Sequence, residues 1–213
     1  MKNIKTTKMV ALLACLCLVT ACFVGGTLAK YTTNGTGSDS ARVAKFGVTV
    51  TATSDSMFAK EYDDEDANYA GLSVKSATTD MLVAPGTEGT LAEVALAGEP
   101  EVAVRVTNDA DLTLTGWDAS GYYCPIVITV GGTAIDGNGY TSAADFEAAV
   151  EAAIEEYTAD YEPGTDLSGE TDACPVVSWA WAFDGDDEKD TALGDAGNAE
   201  IALDITTTVT QID

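Results

Sequence analysis

The stretch AEIALDITTTVTQI, residues 199–212, decides the fold class of this chain. Its apolar side chains recur at every second position, at Ile201, Leu203 and Ile205, while a run of threonines faces the other way. Successive side chains of a β-strand point to opposite faces of the sheet, and β-branched residues such as Ile, Val and Thr are enriched in strands. The stretch therefore predicts a strand with one buried face.

Seven segments upstream of it also read as strands. They are residues 42–53, 72–78, 90–96, 101–108, 112–117, 125–130 and 176–183. A turn is predicted at Ala84-Pro85-Gly86-Thr87, because proline suits its second position and glycine its third. Many short strands separated by turn signals indicate a mainly β protein, an antiparallel β-sandwich.

One segment, residues 142–157, has the period of a helix. Its apolar residues recur every third or fourth position: Phe146, Val150, Ile154 and Tyr157. Ser142, with Asp145 three residues later, suits the start of a helix. Three glutamates are expected on the solvent-facing side: Glu147, Glu151 and Glu155. The sandwich is thus expected to carry one helical insertion.

Residues 1–29 have the order of a secretory signal peptide. A basic start is followed by the uncharged apolar residues 9–24 and then by small residues, with cleavage expected between Ala29 and Lys30. These 16 apolar residues fall short of the roughly 20 that span a bilayer, so no stable membrane span is expected after cleavage. A secreted, extracellular or cell-surface protein is predicted. Alternatively, Val19-Thr20-Ala21-Cys22 fits a lipoprotein box, and Cys22 would then carry a lipid.

The mature chain is predicted to consist of a flexible polar arm, residues 30–40, and a sandwich domain, residues 41–213. The full chain has a net charge of −25, and its leader holds three lysines and no acids. The mature chain therefore has a net charge of −25 − 3 = −28. Such a surface repels nucleic acid, whose binding depends on Lys and Arg neutralising phosphates.

The chain contains no histidine, so the usual Ser-His-Asp and HExxH schemes cannot be built. No catalytic residue is predicted, and the chain is not expected to be an enzyme. A glycosidase using two carboxylates stays an alternative, although no pair stands out among the many acids.

Alternating acids mark residues 184–190, at Asp184, Asp186, Glu188 and Asp190. Carboxylates spaced in this way in a loop can wrap a hard cation, which makes calcium the one cofactor considered. The run departs from the EF-hand pattern, because Lys189 stands where the turn needs glycine. The alternative is a solvated acidic loop.

After removal of the leader two cysteines remain, Cys124 and Cys174. In an exported protein they suggest a disulfide that closes a loop of about 50 residues. The alternative is two buried thiols.

The three tryptophans also allow two interpretations. Trp117, Trp179 and Trp181 belong either to the core or to an exposed aromatic surface for sugars.

Four short patches carry a family resemblance. The junction GGTLAKY, residues 25–31, the segment SDSARVAKFGVTV, residues 38–50, the APGT turn and the ending ITTTVTQID, residues 205–213, occur in this order. Together they resemble the TasA and camelysin-like biofilm matrix proteins of Gram-positive bacteria, whose leaders are removed by a SipW-type signal peptidase.

The resemblance implies a jelly-roll-like sandwich that is secreted and polymerises head to tail into matrix fibres. The partners implied are further copies of the chain, other matrix subunits and the peptidase. The freed arm of one subunit would add a strand to its neighbour. The residues of this chain expected to take part in that donation are Tyr31, Thr32, Arg42, Val43 and Ala44. The metallopeptidase activity attributed to camelysin is not carried over, because no histidine is present for a zinc site.

Two functions are therefore weighed. The first is a structural subunit of extracellular matrix or surface fibres that assembles by donating its N-terminal strand. The second is a monomeric or lipid-tethered surface module that binds a glycan or a protein.

Overall fold

The computed structural model describes residues 41–52, 56–63, 71–91, 94–118 and 121–213. The predicted leader, the cleavage site at Ala29 and Lys30, the arm and the donor candidates Tyr31 and Thr32 lie outside the described residues. The chain divides into two compact units, Met1–Val43 and Ala44–Asp213. All the elements below belong to the second unit.

The described residues form eleven strands, two α-helices and one short 3-10 helix. In chain order these are β1 (Thr49–Ala52), β2 (Glu61–Asp63), β3 (Leu72–Lys75), β4 (Thr87–Leu91), β5 (Val94–Ala97), β6 (Val104–Thr115), β7 (Ile126–Val130), β8 (Thr133–Asp136), the 3-10 helix (Gly137–Gly139), α1 (Ala143–Glu155), β9 (Ala159–Tyr161), β10 (Val177–Trp181), α2 (Asp187–Ala196) and β11 (Glu200–Gln211).

The strands form antiparallel sheets. One sheet has the order β4-β10-β7-β8 and a second has the order β11-β6-β9. Two-stranded sheets are formed by β1 with β5 and by β2 with β3. The prediction of a mainly β, sandwich-like fold is confirmed.

Strand β6 runs for twelve residues without a break, and every second side chain is buried. The buried members are Val104, Val106, Asn108, Ala110, Leu112 and Leu114. Sequence analysis predicted two separate strands here, residues 101–108 and 112–117. The polar run at residues 108–111 does not end the strand, because Ala110 continues the alternation and Asn108 has hydrogen-bond partners in the core.

The Asn108 amide joins three parts of the fold. Its Nδ2 donates to the carbonyl oxygens of Tyr157, at 2.7 Å, and Ala173, at 2.8 Å. Its Oδ1 accepts from the Thr207 hydroxyl at 2.7 Å. A buried amide is costly unless it is satisfied, so these bonds are what allows a polar residue at this position.

The larger core cluster unites the four-stranded sheet, α1 and the second half of β6. Phe146, Val150 and Ile154 of α1 are fully buried in it, as the helical spacing predicts. The Ser142 hydroxyl caps α1 by accepting from the Asp145 N–H at 3.2 Å. The predicted helix and its N-cap are confirmed.

A smaller core cluster lies under the first half of β6. Val104 and Val106 pack there with Leu96 of β5, Tyr161 of β9 and Leu167. On the exposed side, the Arg105 guanidinium forms two 2.6 Å hydrogen bonds to the Asp160 carboxylate and so ties β6 to β9. Because β6 contributes to both clusters, it is the central strand of the domain.

Other boundaries differ from the sequence-based expectation. Strand β1 begins at Thr49 rather than at residue 42, and Gly47 just before it adopts a positive φ of 57°. The predicted strand at 90–96 is divided between β4 and β5. The APGT turn is confirmed, since the Thr87 N–H donates to the Ala84 carbonyl at 3.1 Å and Gly86 has φ 80°.

Sequence analysis missed the second helix, α2. The Asp186 side chain caps its start, and Gly197, with φ 61°, ends it. Only Leu193 of α2 is buried, so its sequence lacks the apolar stripe that reveals an amphipathic helix. Neither helix of the described part is long and apolar enough to cross a membrane.

A matched pair of phenylalanine substitutions tests the core assignment. Phe146 is fully buried, whereas Phe183 is 78% exposed. We expect Phe146→Ala to lower the free energy of unfolding by about 3–5 kcal/mol, because it removes buried area and leaves a cavity. Phe183→Ala should change it by about 0.5 kcal/mol or less. Urea denaturation followed by tryptophan fluorescence measures both, and equal losses would contradict the assignment.

Candidate strand-pairing edge

The tryptophans predicted as an alternative sugar surface belong to the core. Trp117, Trp179 and Trp181 are 2%, 2% and 6% exposed. The indole N–H of Trp179 donates to the Met57 carbonyl at 2.7 Å, and that of Trp117 to the Glu200 carbonyl at 2.7 Å. An aromatic platform for sugars built from these side chains is therefore wrong, because their rings face the protein interior.

The predicted disulfide between Cys124 and Cys174 is also wrong. Both thiols are buried, but no disulfide joins them. Cys124 packs in the larger core cluster and Cys174 in the smaller one. Burial raises the pKa of the Cys124 thiol to about 12, so this thiol stays protonated and unreactive at neutral pH.

The acidic run considered for calcium lies partly before α2, at residues 184–186, and partly in its first turn, at residues 187–190. Asp186 caps α2, accepting from the Lys189 N–H at 3.2 Å, and Asp190 accepts from the Tyr123 hydroxyl at 2.7 Å. Asp184 and Glu188 are exposed. Across the ranges that the structure describes, no three His, Cys, Asp or Glu side chains are grouped so as to hold a metal ion.

In the sheet β11-β6-β9, the side of β6 that faces away from β11 is covered in part by β9 and in part by α1. At one end of β6, Val104 and Val106 pair with β9. At the other end, the Leu112 N–H donates to Glu151 Oε1 at 3.0 Å, and the Leu114 N–H donates to Glu147 Oε1 at 2.6 Å. Helix α1 therefore takes the place of a neighbouring strand along this part of β6.

This arrangement corrects the prediction that Glu147 and Glu151 face solvent. Both side chains are partly buried, and only Glu155 of the three is exposed. Two glutamates four residues apart on a helix are separated by about 6 Å along its axis. Alternate N–H groups on a strand are about 6.6 Å apart. The two spacings match, which is why one helix can satisfy two backbone donors of one strand.

The same hydrogen bonds fix which backbone groups of β11 point away from β6. Leu112 lies opposite Leu203, and Leu114 lies opposite Ile201. Since the N–H groups of Leu112 and Leu114 point to α1, these are non-hydrogen-bonded pairs, in which the backbone groups of both residues point outward. The Ile212 N–H donates to the Ala103 carbonyl at 2.9 Å. The backbone groups of the even-numbered residues therefore point towards β6.

The outward-pointing residues of β11 are therefore the odd-numbered ones. They are Ile201, Leu203, Ile205, Thr207, Val209 and Gln211. Each carries one N–H and one C=O, and the described residues form no hydrogen bonds to these twelve groups. An unpaired strand edge of this kind is a template for pairing with another chain.

The β11 edge is longer than the other sheet edges within the described residues. The four-stranded sheet ends in β4, with five residues, and β8, with four residues, whereas β11 has twelve. Its exposed face carries the acids Glu200 and Asp204 and no basic residue. Lysine, proline or a bulge commonly protects an edge against pairing, and β11 contains no lysine or proline.

A groove lined by apolar side chains together with Asp80 and Glu200 lies beside the start of β11. Its volume is about 360 Å³, and its walls include Phe58, Met81, Val83 and Ile201. Met81 is 49% exposed, so part of this apolar surface is open to solvent. A strand that added to β11 would bring its alternate side chains close to this groove.

Three of the predicted donor residues fall within the described part. Arg42, Val43 and Ala44 are exposed and belong to no helix or strand. Val43 is 91% exposed, and the Arg42 guanidinium donates to the Val43 carbonyl at 3.3 Å. The role of these residues in donation stays a prediction.

Comparison with protein-family models, with curated proteins and with solved structures finds no match to this chain. The resemblance to the TasA and camelysin-like proteins stays a prediction, and the β11 edge is the feature of the described residues that points to a function.

Substitution of the two capping glutamates tests the covering of β6 by α1. We expect the double variant Glu147→Ala with Glu151→Ala to lose about 1–3 kcal/mol of unfolding free energy for each N–H left without a partner. Amide hydrogen exchange at Leu112 and Leu114 should become faster. Glu155→Ala, which removes the same charge from an exposed position of the helix, is the control. Unchanged protection at both amides would contradict the capping role.

Proposed function

We propose that this chain is a secreted structural subunit of an extracellular matrix or of surface fibres, and that it assembles with further copies of itself by β-strand addition. The N-terminal arm of one copy supplies the strand, and the β11 edge of the next copy accepts it. Other matrix subunits with a similar arm would be accepted in the same way. The observation that carries the proposal is the twelve-residue β11 edge, whose outward backbone groups are unpaired within the described residues.

The distribution of charge supports the arm as donor. Residues 30–45 contain Lys30, Arg42 and Lys45 against Asp39, a net charge of +2, so residues 46–213 carry −25 − 3 − 2 = −30. Two such acidic bodies repel each other. Assembly therefore needs a local attraction. The N-terminal segment, residues 30–45, is the part of the mature chain whose net charge is opposite to that of the acidic body.

The asymmetry of the sheet supports growth in one direction. Because α1 and the three-residue strand β9 cover one side of β6, the long edge that this sheet offers for strand addition is β11. Donor and acceptor are then different surfaces of the same chain, and a contact of this head-to-tail kind generates an open filament when its rotation does not close a ring. The proposal assigns the chain no catalytic role, and secretion through cleavage at Ala29 is part of it.

Deletion of residues 30–40 tests the donor. The segment contains one lysine and one aspartate, so its removal leaves the net charge unchanged. We expect the shortened chain to keep its urea unfolding midpoint and to form no filaments by electron microscopy, because most of the donated strand, including Tyr31 and Thr32, is missing. Filaments as abundant as those of the parent would exclude this arm as the donor.

A matched pair of prolines tests the acceptor. The N–H of Thr207 points outward, whereas that of Thr206, which lies opposite Asp109, points towards β6. Proline removes an N–H and is tolerated at edges where that group faces solvent. We expect Thr207→Pro to fold, to lose about 1–3 kcal/mol of unfolding free energy because the buried Asn108 Oδ1 loses its partner, and to stop assembly.

Thr206→Pro is the control for the effect of a proline on folding. It breaks a bond within the subunit's own sheet, so it should cost more stability than Thr207→Pro. Light scattering and urea denaturation measure assembly and stability separately. If Thr207→Pro assembles as well as the parent chain, the β11 edge is not the acceptor.

A further inference from the structure

The apolar side chains along β11 are less buried than the β6 side chains directly opposite them. The half-buried members on β11 are Ile201, Leu203, Ile205 and Val209. The buried members on β6 are, in the same order, Leu114, Leu112, Ala110 and Val106. Directly opposite residues lie on the same face of a sheet, so the difference arises at the edge, where the described residues supply no further strand. A strand paired with β11 would complete this burial.

The charges of β11 are confined to its first half. Glu200 and Asp204 are its two charged residues, and residues 205–211 carry none. The outer face of the second half presents Thr206, Thr208 and Thr210, all exposed. An antiparallel partner with the same sequence runs the other way and brings a threonine segment to each acidic segment. The strand is therefore complementary to a second copy of itself, although the surface of the chain is acidic.

The backbone directions of β11 restrict how a second copy can pair with it. The outward groups belong to odd-numbered residues, so hydrogen-bonded pairs between two copies join odd to odd. One register uses all six of these residues in both copies. Its hydrogen-bonded pairs join Ile201 to Gln211, Leu203 to Val209 and Ile205 to Thr207. Each such pair exchanges two hydrogen bonds, so every outward N–H and C=O of β11 finds a partner.

From this match we infer a closed dimer, in which β11 of one copy pairs antiparallel with β11 of a second copy about a two-fold axis at Thr206. The dimer joins two three-stranded sheets into one sheet of the order β9-β6-β11-β11-β6-β9. A two-fold interface uses the same surface on both subunits and does not grow further. It protects an edge that contains neither lysine nor proline. The N-terminal arm takes no part in it.

Neighbouring registers lose contacts or bring like charges together. With the axis at Asp204, the two aspartates lie directly opposite each other, and with the axis at Ile205 they lie on a diagonal, where side chains still interact. A shift of the axis to Thr207 leaves Ile201 without a partner in β11. With the axis at Thr206, the two aspartates are about 13 Å apart along the strands, which exceeds the screening length of about 8 Å in physiological salt.

The acidity of the chain makes the dimer depend on salt. With a net charge of −25, two copies repel each other at low ionic strength. Raising the ionic strength from about 0.01 M to about 0.15 M shortens the screening length from about 30 Å to about 8 Å, and we expect the dissociation constant of the dimer to fall about tenfold. Sedimentation velocity measures it. Thr207→Pro, which removes an outward N–H, should stay monomeric in both buffers.

A single cysteine on the two-fold axis tests the register. Thr206 lies opposite its own copy in a non-hydrogen-bonded pair, in which the Cα atoms are about 4.5 Å apart. A disulfide spans about 4.4–6.8 Å between Cα atoms. We expect mild oxidation of the full-length Thr206→Cys chain to give a linked dimer on non-reducing gels. Thr208→Cys is the matched control, because the two copies of this exposed threonine are about 13 Å apart along the strands.

The parent chain under the same oxidant is the control for the natural thiols, of which Cys124 and Cys174 are buried. Cross-linking at residue 206 and not at residue 208 supports the dimer and its register. Cross-linking at residue 208 alone, or equally at both, overturns the register. So does a dimer in sedimentation that cross-links at neither position. A parent chain that stays monomeric in both buffers, with no cross-link at residue 206, overturns the dimer itself.

Deletion of residues 30–40 from the Thr206→Cys chain separates this inference from the proposed function. The cross-link should persist, because the arm takes no part in the dimer, and its loss would overturn the inference. If filaments that need the arm form and no cross-link appears, the proposed function stands and the dimer fails. If the cross-link forms and the parent chain gives no filaments, the dimer stands and the proposed function fails.

The two contacts compete for the same edge where both exist. The oxidised Thr206→Cys dimer should give no filaments until it is reduced, because both of its β11 edges are covered. Filament formation by the oxidised dimer would show that strand addition uses another edge, and it would leave the dimer in place.

Discussion

The fold depends on the alternation of buried side chains along β6. Because every second residue from Val104 to Leu114 faces inward without interruption, one strand supplies both core clusters and pairs along its whole length with β11. The burial of Asn108 in the middle of this strand is the condition for that continuity. If its amide were unsatisfied, the polar run would be a break in the core rather than a bridge between the two clusters.

The backbone groups on the two sides of β6 have different hydrogen-bond partners, and the proposed function depends on this difference. On one side, the start of β6 pairs with the short strand β9, and two glutamate side chains accept the N–H groups of Leu112 and Leu114. On the other side, β11 pairs with β6 along its whole length and presents its own outward groups. Within this sheet β11 is the longer edge, and the proposed strand addition uses it.

Local patterns predicted much of the fold. The alternation at Ile201, Leu203 and Ile205 identified β11, and the helical spacing of Phe146, Val150 and Ile154 identified α1 with its serine cap. The continuity of β6 was missed, because it depends on partners of Asn108 that lie 49, 65 and 99 residues away in sequence. The role of Glu147 and Glu151 was missed for a related reason. A glutamate beside an apolar stripe has the same local signal whether it faces water or a backbone donor. Helix α2 was missed because a single buried leucine gives no period.

The Asn108 amide has a consequence for how the domain comes apart. It is the point at which the end of α1, the loop around Ala173 and β11 are held by one side chain, and the strand that carries it passes from one hydrophobic cluster to the other. Heat or denaturant cannot melt one cluster and spare the other without first breaking this shared junction. The domain should therefore unfold as a single cooperative unit, with calorimetric and van't Hoff enthalpies that agree.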